Sequence, residues 1–426
     1  MNFLYIMQYC LRCCMPENVK PGIIFDDDGV CSGCRVWEKR QKINWDERKL
    51  ILKETLEKYK KLADDNDAPY DCIIPVSGGK DSHYQAHLAT EVYKLRPLFV
   101  SYNHAFFSRK GEKNLKNMVE KFGCDMLRYS TNPKTAKKLS LYMLKKIGDI
   151  NWHYHAGIMT FPIQVAVQYK IPLILWGEHG ESYKYGMYDF DDHVEFTKKH
   201  RQEHHLRGFE PEDILDDPEN KDITRTDLTP FFYPSDDSIA SVGVRGIYIS
   251  DYDPWDQVRN TELVIKKYGF ETRVNSERSF NLAGSIDDQM EITHSYLRYL
   301  KFGHGRCTDH SSIEIRNQRI SREEGIEMIA KYEYLQRPKN LDVFLKFAGI
   351  NEKEFEDSIE HLRDPDIWEK NSGKWTQKDW IGNHKSDEGV EKVKLPLKRE
   401  PNYSLFSNTK SSVDGPYEEE EEVIFQ

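Results

Sequence analysis

The sequence predicts an α/β protein with a parallel, five-stranded, doubly wound sheet, a cysteine-rich N-terminal head and a helical C-terminal region. Strand-like and helix-like segments alternate from residue 70 to about residue 190, and five of the eight cysteines lie in the first 34 residues. The stretch SGGKDS (77–82) lies between an apolar β-prone run and a helix-like segment. Such alternation is typical of right-handed βαβ units, whose parallel sheet is covered by helices on both faces.

The individual elements follow from the periodicity of apolar residues. The predicted strands are CIIPV (72–76), PLFVSY (97–102), CDMLRY (124–129), IPLILW (171–176) and GIYIS (246–250). Helices are predicted near 45–62, 83–95, 111–121, 133–147, 156–169, 257–268, 287–302, 321–335, 339–348 and 352–361.

The length of 426 residues is enough for two or three domains. The predicted regions are a metal-binding head (1–40), a helical linker (41–69), an α/β domain (70–255) with an insertion at about 190–240 over the carboxyl edge of the sheet, a helical substrate or partner region (256–362) and a polar, flexible tail (363–426).

Composition argues against some classes of function. The net charge is −10, which argues mildly against a large nucleic-acid surface, because such binding depends on Lys and Arg neutralising phosphates, but this charge does not exclude a local basic groove. No run of eighteen apolar residues exists, so no membrane span is expected. The N-terminal stretch lacks the basic region and the cleavage site of a signal peptide, and we expect a cytoplasmic protein.

The head carries two CxxC pairs, Cys10 with Cys13 and Cys31 with Cys34. Paired CxxC motifs favour a tetrahedral Zn²⁺ site with four thiolate ligands, which leaves no open position and therefore indicates a structural role. Cys14 competes with Cys13 as a ligand. A redox dithiol or buried free cysteines are the alternatives.

The loop Ser77-Gly78-Gly79-Lys80-Asp81-Ser82 has the composition of a site for metal-bound polyphosphate. Backbone N–H groups in a glycine turn before a helix bind anions, Lys80 adds positive charge, and the two serines add hydroxyl donors. Asp81 would repel bare phosphate but can hold Mg²⁺ against phosphate oxygens. A simple helix cap explains one polar residue here, but not the whole set.

Four segments in this order resemble the N-acetyl sugar amidotransferases, which belong to the PP-loop ATP pyrophosphatases. They are CLRCCMPENVKPGIIFDDDGVCSGC (10–34), SGGKDSHY (77–84), ILWGEHGESYKYG (174–186) and KFGHGRCTDHSSIEIRNQRISREEG (301–325). The resemblance covers residues 8 to 350. It implies an enzyme that uses ATP and Mg²⁺ to convert an acetamido group of a bacterial surface sugar, such as a pseudaminic, legionaminic or mannuronic derivative, to acetamidino.

Under this resemblance the loop 77–82 would grip the pyrophosphate of ATP. Ligands collect at the carboxyl ends of parallel strands, so Ser101, Tyr102 and Asn103 are predicted to line the adenosine site. By the same rule Gly177 is predicted to contact the nucleotide. Glu178 is predicted to bind metal or ammonia, and His179 to donate to phosphate; a polar strand end in water is the alternative reading.

The stretch 304–319, which we interpret as a loop between two helical segments, contains the predicted sugar-binding residues. His304, Arg306, Asp309 and Arg316 are candidates, because Arg binds phosphate and carboxylate groups in a bidentate manner. Surface ion pairs between helices explain the same residues nearly as well. His153 and His155 are weaker candidates for the pocket.

Ammonia is expected from a separate glutaminase subunit, because a glutaminase needs a nucleophilic Cys and position 2 is Asn2. The resemblance implies a partner like the glutaminase of histidine biosynthesis, in some members with a cyclase-like subunit. Two alternatives remain: a tRNA-thiolating PP-loop enzyme, and a non-enzymatic zinc-knuckle interaction protein.

Overall fold

The computed structural model describes residues 7–20, 22–273, 277–333 and 337–399. A parallel sheet with strand order β3-β2-β1-β4-β5 forms its centre. The strands are β1 (Cys72–Pro75), β2 (Pro97–Asn103), β3 (Met126–Ser130), β4 (Leu173–Trp176) and β5 (Arg245–Tyr248). All five strands lie in the predicted segments, within a few residues at each end. A topological switch point therefore lies between β1 and β4, where the strand order reverses.

Helices cover both faces of the sheet and form the C-terminal region. They are α1 (Ser32–Arg40), α2 (Trp45–Asp65), α3 (Lys80–Ala86), α4 (Arg109–Phe122), α5 (Pro133–Ile147), α6 (Trp152–Gln168), α7 (Lys198–His200), α8 (Pro211–Asp216), α9 (Arg225–Leu228), α10 (Asp236–Val242), α11 (Gln257–Tyr268), α12 (Glu291–Phe302), α13 (Arg306–Arg316), α14 (Arg322–Tyr332), α15 (Leu341–Ala348), α16 (Glu352–Ile359) and α17 (Val390–Val393). Within the described ranges, no helix is both long and apolar enough to cross a membrane.

Neighbouring residues of β1 show why the sheet is buried on both faces. Ile74 packs in a cluster with Leu52 of α2 and Leu115 of α4. Ile73 points to the opposite face and packs with Ile163 of α6. Successive side chains of a strand alternate between faces, so a continuous apolar run such as CIIPV requires helices on both sides.

Three short stretches have π-helical hydrogen bonding, His87–Val92, Glu181–Tyr185 and Arg201–His205. The first continues α3, so the predicted helix 83–95 begins at Lys80 and ends at Val92. The other two follow β4 and α7. Short π-helical segments are frequent at functional sites.

Two predictions about the C-terminal half are wrong. The stretch 304–319, interpreted as a loop between helices, contains the helix α13, most of whose residues are buried against neighbouring helices. Part of the predicted flexible tail is folded: β6 (Trp368–Asn371) and β7 (Lys374–Gln377) form a hairpin, and Trp368 and Val393 pack against the cysteine head. Tail residues 400–426 lie outside the described residues.

Candidate functional site

The loop after β1 makes a tight turn against the start of α4. Gly78 has a φ of +80°, and a Cβ added there would lie 2.7 Å from the carbonyl oxygen of Gly111. Both facts require glycine at this position. The N–H of Ser77 donates to Oγ of Ser82 over 3.1 Å, which closes the turn just before Lys80 begins α3.

Lys80 and Asp81 form a pair at the edge of a cavity. Nζ of Lys80 lies 2.5 Å from Oδ2 of Asp81, and Lys80 is 6% exposed. The other carboxylate oxygen of Asp81, Oδ1, is buried and has no hydrogen-bond partner within the described ranges. Since a buried, unpaired carboxylate oxygen costs free energy, this atom is suited to a cationic ligand.

The cavity beside this pair has a volume of about 140 Å³ and is rich in charge. Its basic lining residues are Lys80, Lys184, Arg273, Arg278 and Arg306, and its acidic ones are Asp81, Glu178, Glu277 and Glu291. Glu178 follows β4, so the carboxyl ends of β1 and β4 meet here. This agrees with the rule that open α/β sheets bind ligands where the strand order reverses.

Glu178 offers a second carboxylate oxygen to the same cavity. Its Oε2 accepts a hydrogen bond of 2.7 Å from Nε2 of Gln257. Its Oε1 is buried without a hydrogen-bond partner in the described part of the chain, and the nearest cation, Nζ of Lys184, is 3.9 Å away. Asp81 and Glu178 therefore supply the hard oxygen ligands that Mg²⁺ prefers.

A second cavity of about 660 Å³ adjoins the first. Both are lined by Glu178, Lys184, Ser295 and Arg306. The large cavity lies under the insertion, from which Glu203, His204, His205 and Arg207 line it, and across from α12, which contributes His294, Arg298 and Lys301. A cavity of this size is within the range that holds a drug-sized or nucleotide-sized ligand.

Three of the four predicted sugar-binding residues line the large cavity. Arg306 donates two hydrogen bonds of 2.7 and 3.1 Å to the carboxylate of Glu291 on α12. Asp309 accepts two hydrogen bonds from Arg298. Burial raises the pKa of Asp309, but the charge and hydrogen bonds of Arg298 lower it more, so this pKa lies below its usual range. His304 is 3% exposed, and burial together with the charge of Arg298 lowers its pKa to about 3, so its imidazole is neutral at pH 7.

Arg316, the fourth, is placed elsewhere, and the prediction that it binds the sugar is wrong. Its guanidinium donates to Sγ of Cys34, Cys31 and Cys13 over 3.4, 3.5 and 3.6 Å. It also donates to the carbonyl of Lys184 over 2.7 Å. If residues 304–319 formed a loop, the side chain of Arg316 could reach the cavity. On α13, ten residues after Arg306, it faces the head.

Cys10, Cys13, Cys31 and Cys34 are buried, and their sulfur atoms lie within 4.8 Å of one another. The Sγ atoms of Cys13 and Cys31 are 3.6 Å apart, and those of Cys10 and Cys34 are 4.0 Å apart. Tetrahedral Zn²⁺ with Zn–S bonds of about 2.3 Å separates its sulfurs by about 3.8 Å, so the cluster is compatible with zinc. Cys14 lies outside the cluster, which decides the choice between Cys13 and Cys14.

His179, which follows Glu178 and was predicted to donate to phosphate, does not line the smaller cavity. His179 is 2% exposed, and burial lowers its pKa to about 4, so it is a neutral imidazole at pH 7. It stacks on Tyr248 of β5 and on Tyr188. Gly177 and His155 line the large cavity, whereas His153 is fully buried away from it.

The residues predicted to hold adenosine are buried at the end of β2. Ser101, Tyr102 and Asn103 line neither cavity. The hydroxyl of Tyr102 accepts a hydrogen bond from Thr131, and Nδ2 of Asn103 donates to Ser130 over 3.3 Å. Ser77, Gly78, Gly79 and Ser82 likewise shape the loop without lining these two cavities. The adenosine contacts stay predictions.

Several lining residues were not predicted from sequence. Lys184, Glu291, Arg298 and Lys301 all face a cavity. Lys184 could have been predicted from the sequence, because it lies in the same segment, ILWGEHGESYKYG (174–186), as Glu178. Glu291, Arg298 and Lys301 lie on α12, where charged residues at helical spacing are indistinguishable from a solvated face until the packing is known.

The fold and the site together define an α/β protein with a glycine-containing loop after its first strand and two charged cavities at the carboxyl ends of β1 and β4. Residues 262–381, which include Arg306 and Asp309, match the family model described as LPS biosynthesis protein WbpG-like, C-terminal domain.

A curated relative and a solved structure are also similar to parts of this chain. Over 118 residues, 28% of the chain, the sequence is 27% identical to the uncharacterized protein MJ1599 of Methanocaldococcus jannaschii, and this match spans 41% of that relative's length. The structure of NMN synthetase from Francisella tularensis aligns with 53% of this chain and 96% of its own, at 14% identity and a TM-score of 0.27.

Proposed function

We propose that the protein is an ATP-dependent amidotransferase that converts the acetamido group of a nucleotide-linked bacterial surface sugar to acetamidino. One observation carries the proposal: Lys80 and Asp81 of the loop, Glu178 after β4 and Arg306 of α13 line one cavity, which adjoins a larger one. The family model matched at 262–381 is named for LPS biosynthesis, which supports a substrate among surface sugars.

The reaction has two steps. The amide oxygen of the sugar attacks the α-phosphorus of ATP, pyrophosphate leaves, and the amide nitrogen loses its proton to give an O-adenylyl imidate. Ammonia then adds to the imidate carbon and AMP leaves with the former amide oxygen, which yields the amidine. AMP is needed because a bare amide oxygen is a poor leaving group, and the protein contributes mainly positioning and charge stabilisation.

The smaller cavity suits the polyphosphate. Lys80 and Arg306 supply positive charge for the departing pyrophosphate, and the backbone of the loop adds N–H donors. Oδ1 of Asp81 and Oε1 of Glu178 would hold Mg²⁺, which neutralises phosphate charge when bound. The larger cavity, with Arg298, Lys301 and His304, suits the sugar and its phosphates.

The proposal is tested by offering a panel of nucleotide-linked acetamido sugars with ATP, Mg²⁺ and ammonium. The expected result is AMP and pyrophosphate release that depends on one sugar, together with the small mass loss that accompanies replacement of O by NH. Sugar-independent ATP hydrolysis to ADP, or no turnover with any acetamido sugar, contradicts the proposal.

The ammonia source is proposed to be a separate glutaminase subunit, resembling that of histidine biosynthesis. A glutaminase needs an accessible thiolate with a lowered pKa. Cys14, Cys72 and Cys307 are buried, and burial raises the pKa of the half-buried Cys124 to about 11. With four more cysteines in the cluster, no cysteine of this chain has the environment of a nucleophile.

The isolated chain is therefore expected to use ammonium but not glutamine. The measurement supplies ¹⁵N-ammonium or amide-¹⁵N-glutamine in parallel and follows label in the amidine by mass spectrometry. Label from ammonium alone supports the two-subunit arrangement. Efficient transfer from glutamine by the pure chain refutes it, while leaving the amidine chemistry intact.

Arg306→Lys tests the role of the guanidinium in substrate binding. Lysine keeps the charge but loses the planar fork, so the KM for the anionic sugar or for ATP should rise by about 10-fold or more, with a smaller change in kcat. Arg245→Lys is the matched control, because Arg245 has the same side-chain exposure of 30%, also pairs with a glutamate, and lines neither cavity. Equal KM values for both variants and the wild type would exclude Arg306 from binding.

Thiolation of tRNA remains the alternative reaction. It usually needs a reactive cysteine pair near the loop, and the cysteines outside the four-cysteine cluster are buried or have a raised pKa. Retention of tRNA on the purified protein, without any sugar-dependent AMP release, would favour it.

A further inference from the structure

We propose that His179, Glu181 and His200 bind a divalent transition metal ion of the Zn²⁺ class, separate from the four-cysteine cluster. One ring nitrogen of each histidine and one carboxylate oxygen of Glu181 lie within 4.8 Å of one another. His179 and His200 are 2% and 5% exposed. Two imidazoles and a carboxylate form a common protein ligand set for zinc and related metals.

The spacing of His200 and Glu181 is compatible with two ligands of one metal ion as well as with an ion pair. Nε2 of His200 lies 3.6 Å from Oε2 of Glu181, which is too long for a hydrogen bond. Tetrahedral coordination with bonds of about 2.1 Å places neighbouring ligand atoms about 3.4 Å apart. The pair therefore has the separation expected of two ligands around one ion, just as the sulfur atoms of the four cysteines do.

Unpaired buried nitrogens are the second observation. Nε2 of His179 and Nε2 of His200 are both buried without a hydrogen-bond partner among the residues described. A buried ring nitrogen without a hydrogen-bond partner costs free energy unless a ligand contacts it. A cation between them and Glu181 satisfies both at once.

The surroundings of His179 resemble an outer shell of a metal site. Its Nδ1 lies 3.8 Å from Oδ2 of Asp251, and its backbone N–H donates to Oγ of Ser250 over 2.9 Å. Histidine ligands are usually oriented by a carboxylate near the nitrogen that does not bind the metal. Asp251 lies on the Nδ1 side of the ring without a direct hydrogen bond to it, and Nε2 of His179, which has no hydrogen-bond partner among the described residues, is the ligand atom.

The local backbone brings the three ligands together. Glu181 begins the π-helical stretch Glu181–Tyr185, and His200 directly precedes Arg201–His205. The His200 ring packs 5.5 Å from that of His179, centre to centre. Glu181 also lines the large cavity, so the ion would lie at the cavity wall.

The test is the metal content and spectrum of the full chain produced in cobalt-supplemented minimal medium. The wild type should contain Co²⁺ in two environments: a thiolate site with a strong sulfur-to-metal charge-transfer band, and a nitrogen and oxygen site without one. In Glu181→Gln the second environment should be lost while the thiolate band is kept. The loss of affinity should exceed the ~10–100-fold typical of removing an outer-shell partner.

His87→Gln is the control, because His87 bonds Tyr268 away from these ligands and its variant should keep both environments. A wild type without the second environment, or equal loss in both variants, overturns the proposal. If Glu181→Gln does not fold, X-ray absorption on the wild type decides: imidazole scattering at the second metal supports the site, and its absence contradicts it. None of these readouts depends on the proposed reaction.

Discussion

Lys80→Met should lower kcat of the proposed reaction by at least ~10²-fold, as loss of a preorganised group that stabilises transition-state charge does. Lys80 is 6% exposed, begins α3 directly after the glycine turn, and lines the smaller cavity, which we propose holds the polyphosphate. Its charge would matter most as pyrophosphate leaves, so kcat should fall more than KM rises. Asp81→Asn should produce a similar loss through the weaker hold on Mg²⁺.

The fold should survive the change at Lys80. Removal of Lys80 leaves Asp81 with a side chain that is 36% exposed, so water can solvate its charge and no fully buried charge is left unpaired. Lys53→Met is the control, because Lys53 pairs with Glu57 on the exposed face of α2 and lines neither cavity. AMP release and urea unfolding should be measured for both variants. Full activity in Lys80→Met would exclude the proposed ATP role of the loop.

Cys31→Ser should abolish zinc binding and destabilise the chain by at least ~3 kcal/mol. Part of the loss is the metal's own contribution to folding, which in small zinc domains amounts to about 10–16 kcal/mol. The other part concerns Arg316, which is 1% exposed and donates to three of the sulfurs. Without an anionic thiolate cluster its buried charge is poorly compensated, which typically costs about 3–5 kcal/mol.

Cys14→Ser provides the matched comparison, since Cys14 is equally buried, adjacent to a cluster member and outside the cluster. The Cys14→Ser variant should keep one zinc ion in the four-cysteine site and lose far less stability than Cys31→Ser. Elemental analysis and denaturant unfolding measure both effects. A zinc-free Cys31→Ser protein as stable as Cys14→Ser would contradict a structural zinc site.

The sheet was predictable because it depends on patterns that are local in sequence. Each strand is a short apolar run flanked by turn residues, and the rule that ligands collect at the switch point places Lys80 and Glu178 at one site from the sequence alone. The CxxC pairs likewise identified the four cysteines, and the structure resolved the competition between Cys13 and Cys14.

The remainder depended on packing that no local pattern records. The polar stretch 304–319 looks like a loop, yet its charges are buried as pairs, Arg306 with Glu291 and Asp309 with Arg298. Charged residues on a helix usually indicate solvent, so α13 was missed. His200 could not be linked to His179 from sequence, because the insertion has little periodicity of its own.

The contacts of Arg316 and Val393 have a consequence for the order of events during synthesis. Arg316 lies 303 residues after Cys13. Val393, whose carbonyl accepts a hydrogen bond from Arg12, lies 381 residues after Arg12. At about 5–20 residues per second, the cysteines precede Arg316 by on the order of 15–60 s. The head therefore leaves the ribosome before α13 does, so the four thiols are open to solvent and to metal ions for a period before α13 buries them.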